Sequence, residues 1–190
     1  MRFLRNETVC FTGHRYTPRD AFDPTVAAID KLARNGCSTF LAGGALGFDT
    51  VAARAVLRVR EQFPFVKLIL ALPCPEQDFR WNAADRETYR DLLSRADAVV
   101  LLSDHYDPSV MHVRNHFMVD NSFLCVAWYD GSAGGTRSTV LYARSRGVPV
   151  LNLCPHTTDS EQLTLDLFSE DCLPGDEPEE PQSGAFDPLE

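Results

Sequence analysis

The chain has 190 residues, 44% of them hydrophobic and 24% charged, which suits one soluble domain whose core needs no disulfide or metal staple. No stretch approaches the roughly 18 apolar residues that cross a bilayer, and Met1-Arg-Phe-Leu-Arg-Asn6 lacks the apolar centre of a signal peptide, so a cytoplasmic protein away from membranes is expected. The net charge of −9 is concentrated in Asp159–Glu190, which holds eleven acidic residues and no Lys or Arg; the preceding stretch has 18 basic against 16 acidic residues, too weak a surplus for a nucleic-acid binder.

Apolar runs alternate with helix-period segments along most of the chain. Thr8-Val-Cys-Phe-Thr-Gly13 reads as a first strand. Asp23 as N-cap and Pro24 at the first helical position then open a helix whose Val26, Ile29, Leu32 and Ala33 share a face, and Gly36 closes it. Thr39-Phe-Leu-Ala-Gly43-Gly44 is a second strand. It leads into a helix in which Phe48, Val51, Ala52, Ala55, Val56, Val59 and Phe63 form a stripe that must be buried. Val66–Pro73, Ala98–Ser103 and Phe123–Tyr129 are near-continuous apolar runs, as fully buried parallel strands require. Helical segments fall near Asp85–Arg95, Val110–Asn121 and Thr136–Arg146, the last stopping at Gly147. Val148–Leu153 supplies the final strand, and Pro149 favours a sheet edge for it.

Right-handed crossovers turn this pattern into an α/β fold: a single Rossmann-like, doubly wound domain over residues 1–155, its mainly parallel sheet of about six strands flanked by helices. Beyond it, residues 156–190 read as an acidic, disordered tail. Leu163, Leu165, Leu167 and Phe168 could form a short helix there, but Pro174–Glu190 has four prolines and too few core formers to offset ordering entropy. The six cysteines (Cys10, Cys37, Cys74, Cys125, Cys154 and Cys172) include no C-x-x-C pair and several lie in apolar runs, which points to buried, reduced thiols.

Ligands of an open parallel sheet bind at the carboxyl ends of its strands. There the chain carries Thr12-Gly13-His14-Arg15 after the first strand, Gly43-Gly44-Ala45-Leu46-Gly47-Phe48-Asp49 after the second, and Asp130-Gly131-Ser132-Ala133-Gly134-Gly135-Thr136 after the fifth. Glycine removes the Cβ that keeps an anion from backbone N–H groups, and a helix N-terminus adds partial positive charge. A phosphate could sit on either glycine-rich turn, clamped by Arg15 and Arg114; equally, glycines of this kind make tight turns and close helix–sheet contacts. Neither turn matches the dinucleotide fingerprint or the phosphate loop of ATPases. Asp49 could cap its helix, accept from a ribose hydroxyl or act as a general base. Trp81 or Tyr106 could stack on a base, although Trp81 suits a core position as well. His112 and His116 would share a helical face, but no further ligand is evident from spacing, so no metal is expected and no cofactor is required.

The motifs Cys-Phe-Thr-Gly-His-Arg (10–15), Ala42-Gly-Gly-Ala-Leu-Gly-Phe-Asp49 with Ala52-Ala53, Arg80-Trp81, Met111-His-Val-Arg-Asn-His-Phe-Met-Val-Asp-Asn-Ser122 and Tyr129-Asp-Gly-Ser-Ala-Gly-Gly-Thr136 together resemble the YpsA-like members of the SLOG superfamily. These are Rossmann-like domains shared by DprA/Smf and the LOG proteins, and the resemblance runs from Val9 to about Leu153. By position, Gly13, His14 and Arg15 at the first strand's end, Arg80 and Trp81 beyond the third strand and Asn115 on the polar face of the Val110–Asn121 helix join the candidate site. LOG proteins are phosphoribohydrolases, and their M-x-x-R-K element resembles Met111-His-Val-Arg114-Asn115, which carries a catalytic-site Arg onto Arg114. Their P-G-G-x-G-T-x-x-E motif resembles Gly134-Gly135-Thr136 in part; where it has its catalytic Glu, this chain reads Arg137-Ser138-Thr139. LOG-type relatives form dimers, so the resemblance implies a homo-oligomer.

Residues and resemblance together point to binding of a nucleotide-derived small molecule, a nucleoside phosphate or ADP-ribose-like ligand, in a sensing or regulatory role. Gly43, Gly44, Gly47, Gly134, Gly135 and Thr136 would approach phosphates, Arg15 and Arg114 would neutralise them, and Asp49 would accept from a sugar hydroxyl. One alternative is a nucleotide N-glycosidic hydrolase in which Asp49 or Asp120 replaces the absent Glu and Arg114 holds phosphate. The other is a protein-interaction or DNA-processing component with a vestigial pocket.

Overall fold

The computed structural model describes residues 4–157. Six strands form one sheet, β1 (Thr8–Gly13), β2 (Thr39–Ala42), β3 (Lys67–Leu72), β4 (Ala98–Leu101), β5 (Leu124–Trp128) and β6 (Val150–Asn152), in the order β4-β3-β2-β1-β5-β6. Every pairing is parallel. Between consecutive strands run α1 (Phe22–Arg34), α2 (Phe48–Arg60), α3 (Ala83–Arg95), α4 (Val110–Asp120) and α5 (Gly135–Ser145). The chain winds outward from β1 to β4, then returns across β1 to add β5 and β6. Right-handed crossovers therefore place α1, α2 and α3 on one face and α4 and α5 on the other, and α1 packs on α2 while α4 packs on α5.

Because side chains alternate along a strand, the sheet feeds two cores. Phe11, Phe40, Leu68, Leu70, Leu124 and Val126 meet Ile29 and Leu32 of α1 and Phe48, Ala52 and Val56 of α2. Cys10, Leu41, Ile69, Cys125 and Ala127 meet Met118 of α4 and Val140 and Ala143 of α5. The α4/α5 face is built from the smaller strand residues, which leaves that helix pair room to approach. The five cysteines of the described residues are all free and buried, and burial pushes the Cys37 thiol up to about 12.

Three details differ from the sequence expectation. α1 starts at Phe22, after a 3-10 turn over Arg19–Ala21, and no side chain caps it, so Asp23 and Pro24 lie inside its first turn. Phe63 lies beyond the end of α2, although it still packs on the core. β4 is an edge strand rather than a fully buried one: Val99 and Leu101 point to the α1–α3 face and stay half-exposed, at 47% and 45%. β6 holds the other edge, as Pro149 suggested. The expected acidic tail lies, after its first residues, outside the described residues. Among the described residues no helix is long and apolar enough to cross a membrane.

Candidate functional site

β1 and β5 are neighbours, yet the chain leaves β1 toward β2 and leaves β5 toward β6. Connections that diverge in this way open a crevice at the carboxyl ends of the two strands. A cavity of about 300 Å³ occupies it. Thr12, Gly13 and Arg15 line it from the end of β1, Ala45, Leu46 and Asp49 from the β2–α2 turn, and Gln77 and Trp81 from the β3–α3 connection. Met111, Arg114 and Asn115 of α4 and Gly135 and Thr136 of α5 complete the wall. The two glycine-rich turns thus share one rim.

The floor is a buried ion pair. Gly43 ends the β2 run facing α4, and a Cβ there would overlap Nη1 of Arg114 and stand 2.6 Å from Oδ2 of Asp49. The missing side chain is what admits the guanidinium. Nη1 of Arg114 lies 3.3 Å from Oδ2 of Asp49, with Arg114 only 5% and Asp49 7% exposed. Asp49 also accepts from the Ala45 backbone N–H at 3.2 Å, and so ties down its own turn rather than capping α2. Burial pushes the Asp49 carboxyl above its usual value, and Arg114 and the Ala45 N–H pull in the opposite direction without overcoming it. On its other side, Arg114 Nε donates to Asn115 Oδ1 at 2.8 Å. Asn115 Nδ2 donates to Thr139 Oγ1 at 2.8 Å, and that hydroxyl donates to the Gly135 carbonyl at 3.0 Å. A continuous chain of polar contacts therefore joins the turn after β2 to the first residue of α5.

The glycines on the rim have different duties. A Cβ on Gly13 would overlap Phe48, and one on Gly47 would overlap the carbonyls of His14 and Arg15, with Gly47 at φ +85° besides. Phe48 N–H donates to the His14 carbonyl at 3.1 Å, so these two glycines let α2 start directly against the exit of β1. Gly44 is crowded by Leu72, Gln77 and Tyr89. Gly134 and Gly135 have open space where a Cβ would stand. The first N–H groups of α5 have no intrahelical acceptor, as at any helix start, and here no side chain caps them.

Of the residues expected at the site, Gly13, Arg15, Asp49, Trp81, Arg114, Asn115, Gly135 and Thr136 line the cavity. Gly43, Gly44 and Gly134 adjoin it, whereas Gly47 and Arg80 border a neighbouring hollow of about 580 Å³ that shares Arg15 and Trp81 with it. His14 is a tie across the rim: Nε2 stands 2.8 Å from Asp130 Oδ1 and 3.2 Å from its backbone N, and the ring lies against Tyr129. Trp81 packs edge-on against Tyr89 and also walls the cavity. Asp120 is not in the cavity; it sits at the far end of α4 bonded to Tyr142 and Arg146. His116 stacks on Tyr142 at 3.6 Å between centroids, and among the described residues no group of three His, Cys, Asp or Glu is placed to hold a metal. Sequence reasoning missed Gln77, Met111 and Thr139 as contributors. Gln77 belongs to no motif, Met111 stands in the motif that carries Arg114, and Thr139 lies one turn beyond Gly135 in α5; only the fold sets Gln77 and Met111 on the cavity wall and Thr139 behind Asn115.

A family model described as the YspA SLOG family matches residues 25–146. The chain is 33% identical over 135 residues to Uncharacterized SPbeta prophage-derived protein YoqJ of Bacillus subtilis (strain 168), covering 64% of this chain and 79% of that protein. In structure it is similar to DNA processing protein A (DprA) from Streptococcus pneumoniae, with a TM-score of 0.59 and 17% identity over 76% of this chain and 49% of that one. It is also similar to the single-stranded DNA-binding DNA processing protein A of Helicobacter pylori, with a TM-score of 0.62 and 20% identity over 84% of this chain and 70% of that one. The chain thus spans about half the length of the pneumococcal protein; at these identities the two likenesses establish the fold alone. With half or more of its length matched by the family model, the chain belongs to the YspA SLOG family.

Proposed function

We propose that the cavity at the β1/β5 switch binds the phosphate of a nucleotide-derived small molecule, in a sensing or regulatory role. The observation that carries the reading is the open start of α5, where Gly134 and Gly135 leave their backbone bare on a cavity that Arg15 also lines. Helix N–H groups and dipole favour an anion there. Arg15 is exposed, and among the described residues no carboxylate pairs with it. Arg114 is better suited to a supporting role than to the primary phosphate contact: Nη1 is committed to Asp49 and Nε to Asn115, which leaves Nη2 as its spare donor.

Gly135→Asp tests this with opposite signs on fold and binding. A carboxylate in the first turn favours α5, so the unliganded melting temperature should hold or rise, while nucleoside monophosphate binding by calorimetry should fall at least about tenfold through charge repulsion. Wild-type protein that no nucleotide or ADP-ribose stabilises in a thermal-shift series would overturn the proposal, because a ligand selective for the folded state must raise the midpoint.

Asp49 supports a second reading. A buried carboxyl with a raised pKa beside an Arg suits a general acid for N-glycosidic cleavage. Release of free base by the wild type, absent in Asp49→Asn despite retained nucleotide binding, would establish hydrolysis over binding alone.

A further inference from the structure

We infer that the base of the ligand lies in an aromatic cleft continuing from this cavity toward β3 and β4, with a sugar hydroxyl donating to Gln77. The inference rests on the phosphate reading above and names the rest of the molecule. The cleft, of about 520 Å³, shares Arg15, Gln77, Trp81 and Met111 with the phosphate cavity. Its outer wall is Phe79 and Tyr106, at 74% and 61% exposure. They come from separate connections, Phe79 from that before α3 and Tyr106 from that before α4, yet border the same cleft as Trp81. Scattered apolar side chains on a surface need no explanation. Two exposed rings around a concavity next to an anion site supply planar surfaces suited to a heterocycle.

Gln77 lies at the junction of cavity and cleft. Its Nε2 donates to the Gly44 carbonyl at 3.1 Å. That bond fixes the amide, because the flipped orientation would set two oxygens against each other. Oε1 is then buried without a partner, and it is the one such side-chain atom among the described residues. A buried acceptor left unmade calls for a donor. The order along the groove is helix N-terminus, orphan acceptor, aromatic cleft, and that of a nucleotide is phosphate, sugar hydroxyl, base. This assignment moves the sugar contact from Asp49, which is held by Arg114 and Ala45, to Gln77.

The test compares AMP, GMP, CMP and UMP with ribose 5-phosphate by calorimetry on the full chain. At least one nucleotide should bind about tenfold or more tightly than ribose 5-phosphate. Phe79→Ala and Tyr106→Ala, both at exposed positions, should erase that advantage and leave ribose 5-phosphate affinity unchanged. Of the 2′-deoxy and 3′-deoxy forms of the preferred nucleotide, one should bind more weakly. Equal binding of ribose 5-phosphate and all four nucleotides, or a preference untouched by both variants, overturns the cleft assignment while the phosphate site stands. Full affinity in both deoxy forms overturns the Gln77 contact. Binding of neither class overturns the phosphate reading itself, and this inference with it.

Discussion

Asp49 is the residue whose environment is most at odds with its chemistry, a carboxylate placed beneath the rim with almost no access to water. Burial raises its pKa in the folded chain above the value of 3.8 that it has when unfolded. The stability linked to its protonation is then whole below 3.8 and is lost as pH rises through the folded value. Replacing it with Asn removes this dependence. In urea unfolding across a pH series, the difference between wild type and Asp49→Asn should therefore move in favour of the wild type as pH falls from neutrality toward that value; a flat or opposite trend would show that Arg114 outweighs burial. Asp49 and Arg114 are both legible as site candidates, since each stands in a motif at a strand end or on the helix facing it. Their mutual pairing is not legible, because it joins residues 65 apart in sequence through a gap left by the side chain that Gly43 lacks.

At the scale of elements, the start of α2 depends on glycine more than any other helix start. Gly36, after α1, and Gly47, before α2, have nearly the same backbone twist, φ +87° and +85°, but only Gly47 is pressed against neighbouring backbone. Gly36→Ala should cost about 1 kcal/mol, the ordinary penalty of a Cβ in that conformation. Gly47→Ala should cost at least about 2 kcal/mol more, since the carbonyls it meets belong to β1's exit and cannot step aside. Chemical denaturation of the two variants separates the contributions. From sequence the two glycines look alike, each a punctuation mark near a helix end. Helices and strands were readable because parallel strands covered on both faces need unbroken apolar runs, and because Gly and Pro mark where they stop. β4 escaped that logic. Ala98-Val-Val-Leu101 has the composition of a central strand, and its place at the edge follows from strand order, which hydrophobic periodicity does not encode.

Across the whole molecule, every described thiol is buried, Cys10, Cys37, Cys125 and Cys154 within the two cores and Cys74 just beyond β3. Thiol reactivity requires the thiolate, and burial holds Cys37 up to about 12 while Cys125 is raised by its hydrogen-bonded neighbour Cys10 and by burial. Alkylation by iodoacetamide at about pH 8 should leave Cys10, Cys37, Cys74, Cys125 and Cys154 unmodified in the native chain and reach all five after denaturation, as peptide mass mapping would show. Native labelling at Cys37 would mean that the α1–α2 side opens locally. The topology was legible to the level of a doubly wound sheet, and so was the end of the sheet at which the cavity opens. The composition of the cavity wall was legible only in part: the strand-end motifs named Gly13, Arg15, Asp49, Arg114, Gly135 and Thr136, but Gln77 escaped because five separate connections and helices contribute to the wall. The polar contacts from Asp49 through Arg114, Asn115 and Thr139 to Gly135 are arranged end to end, with no parallel route among them. An arrangement in series passes a displacement on undiminished only while every member holds. Loss of any one of them therefore severs the polar line between the start of α5 and the turn after β2.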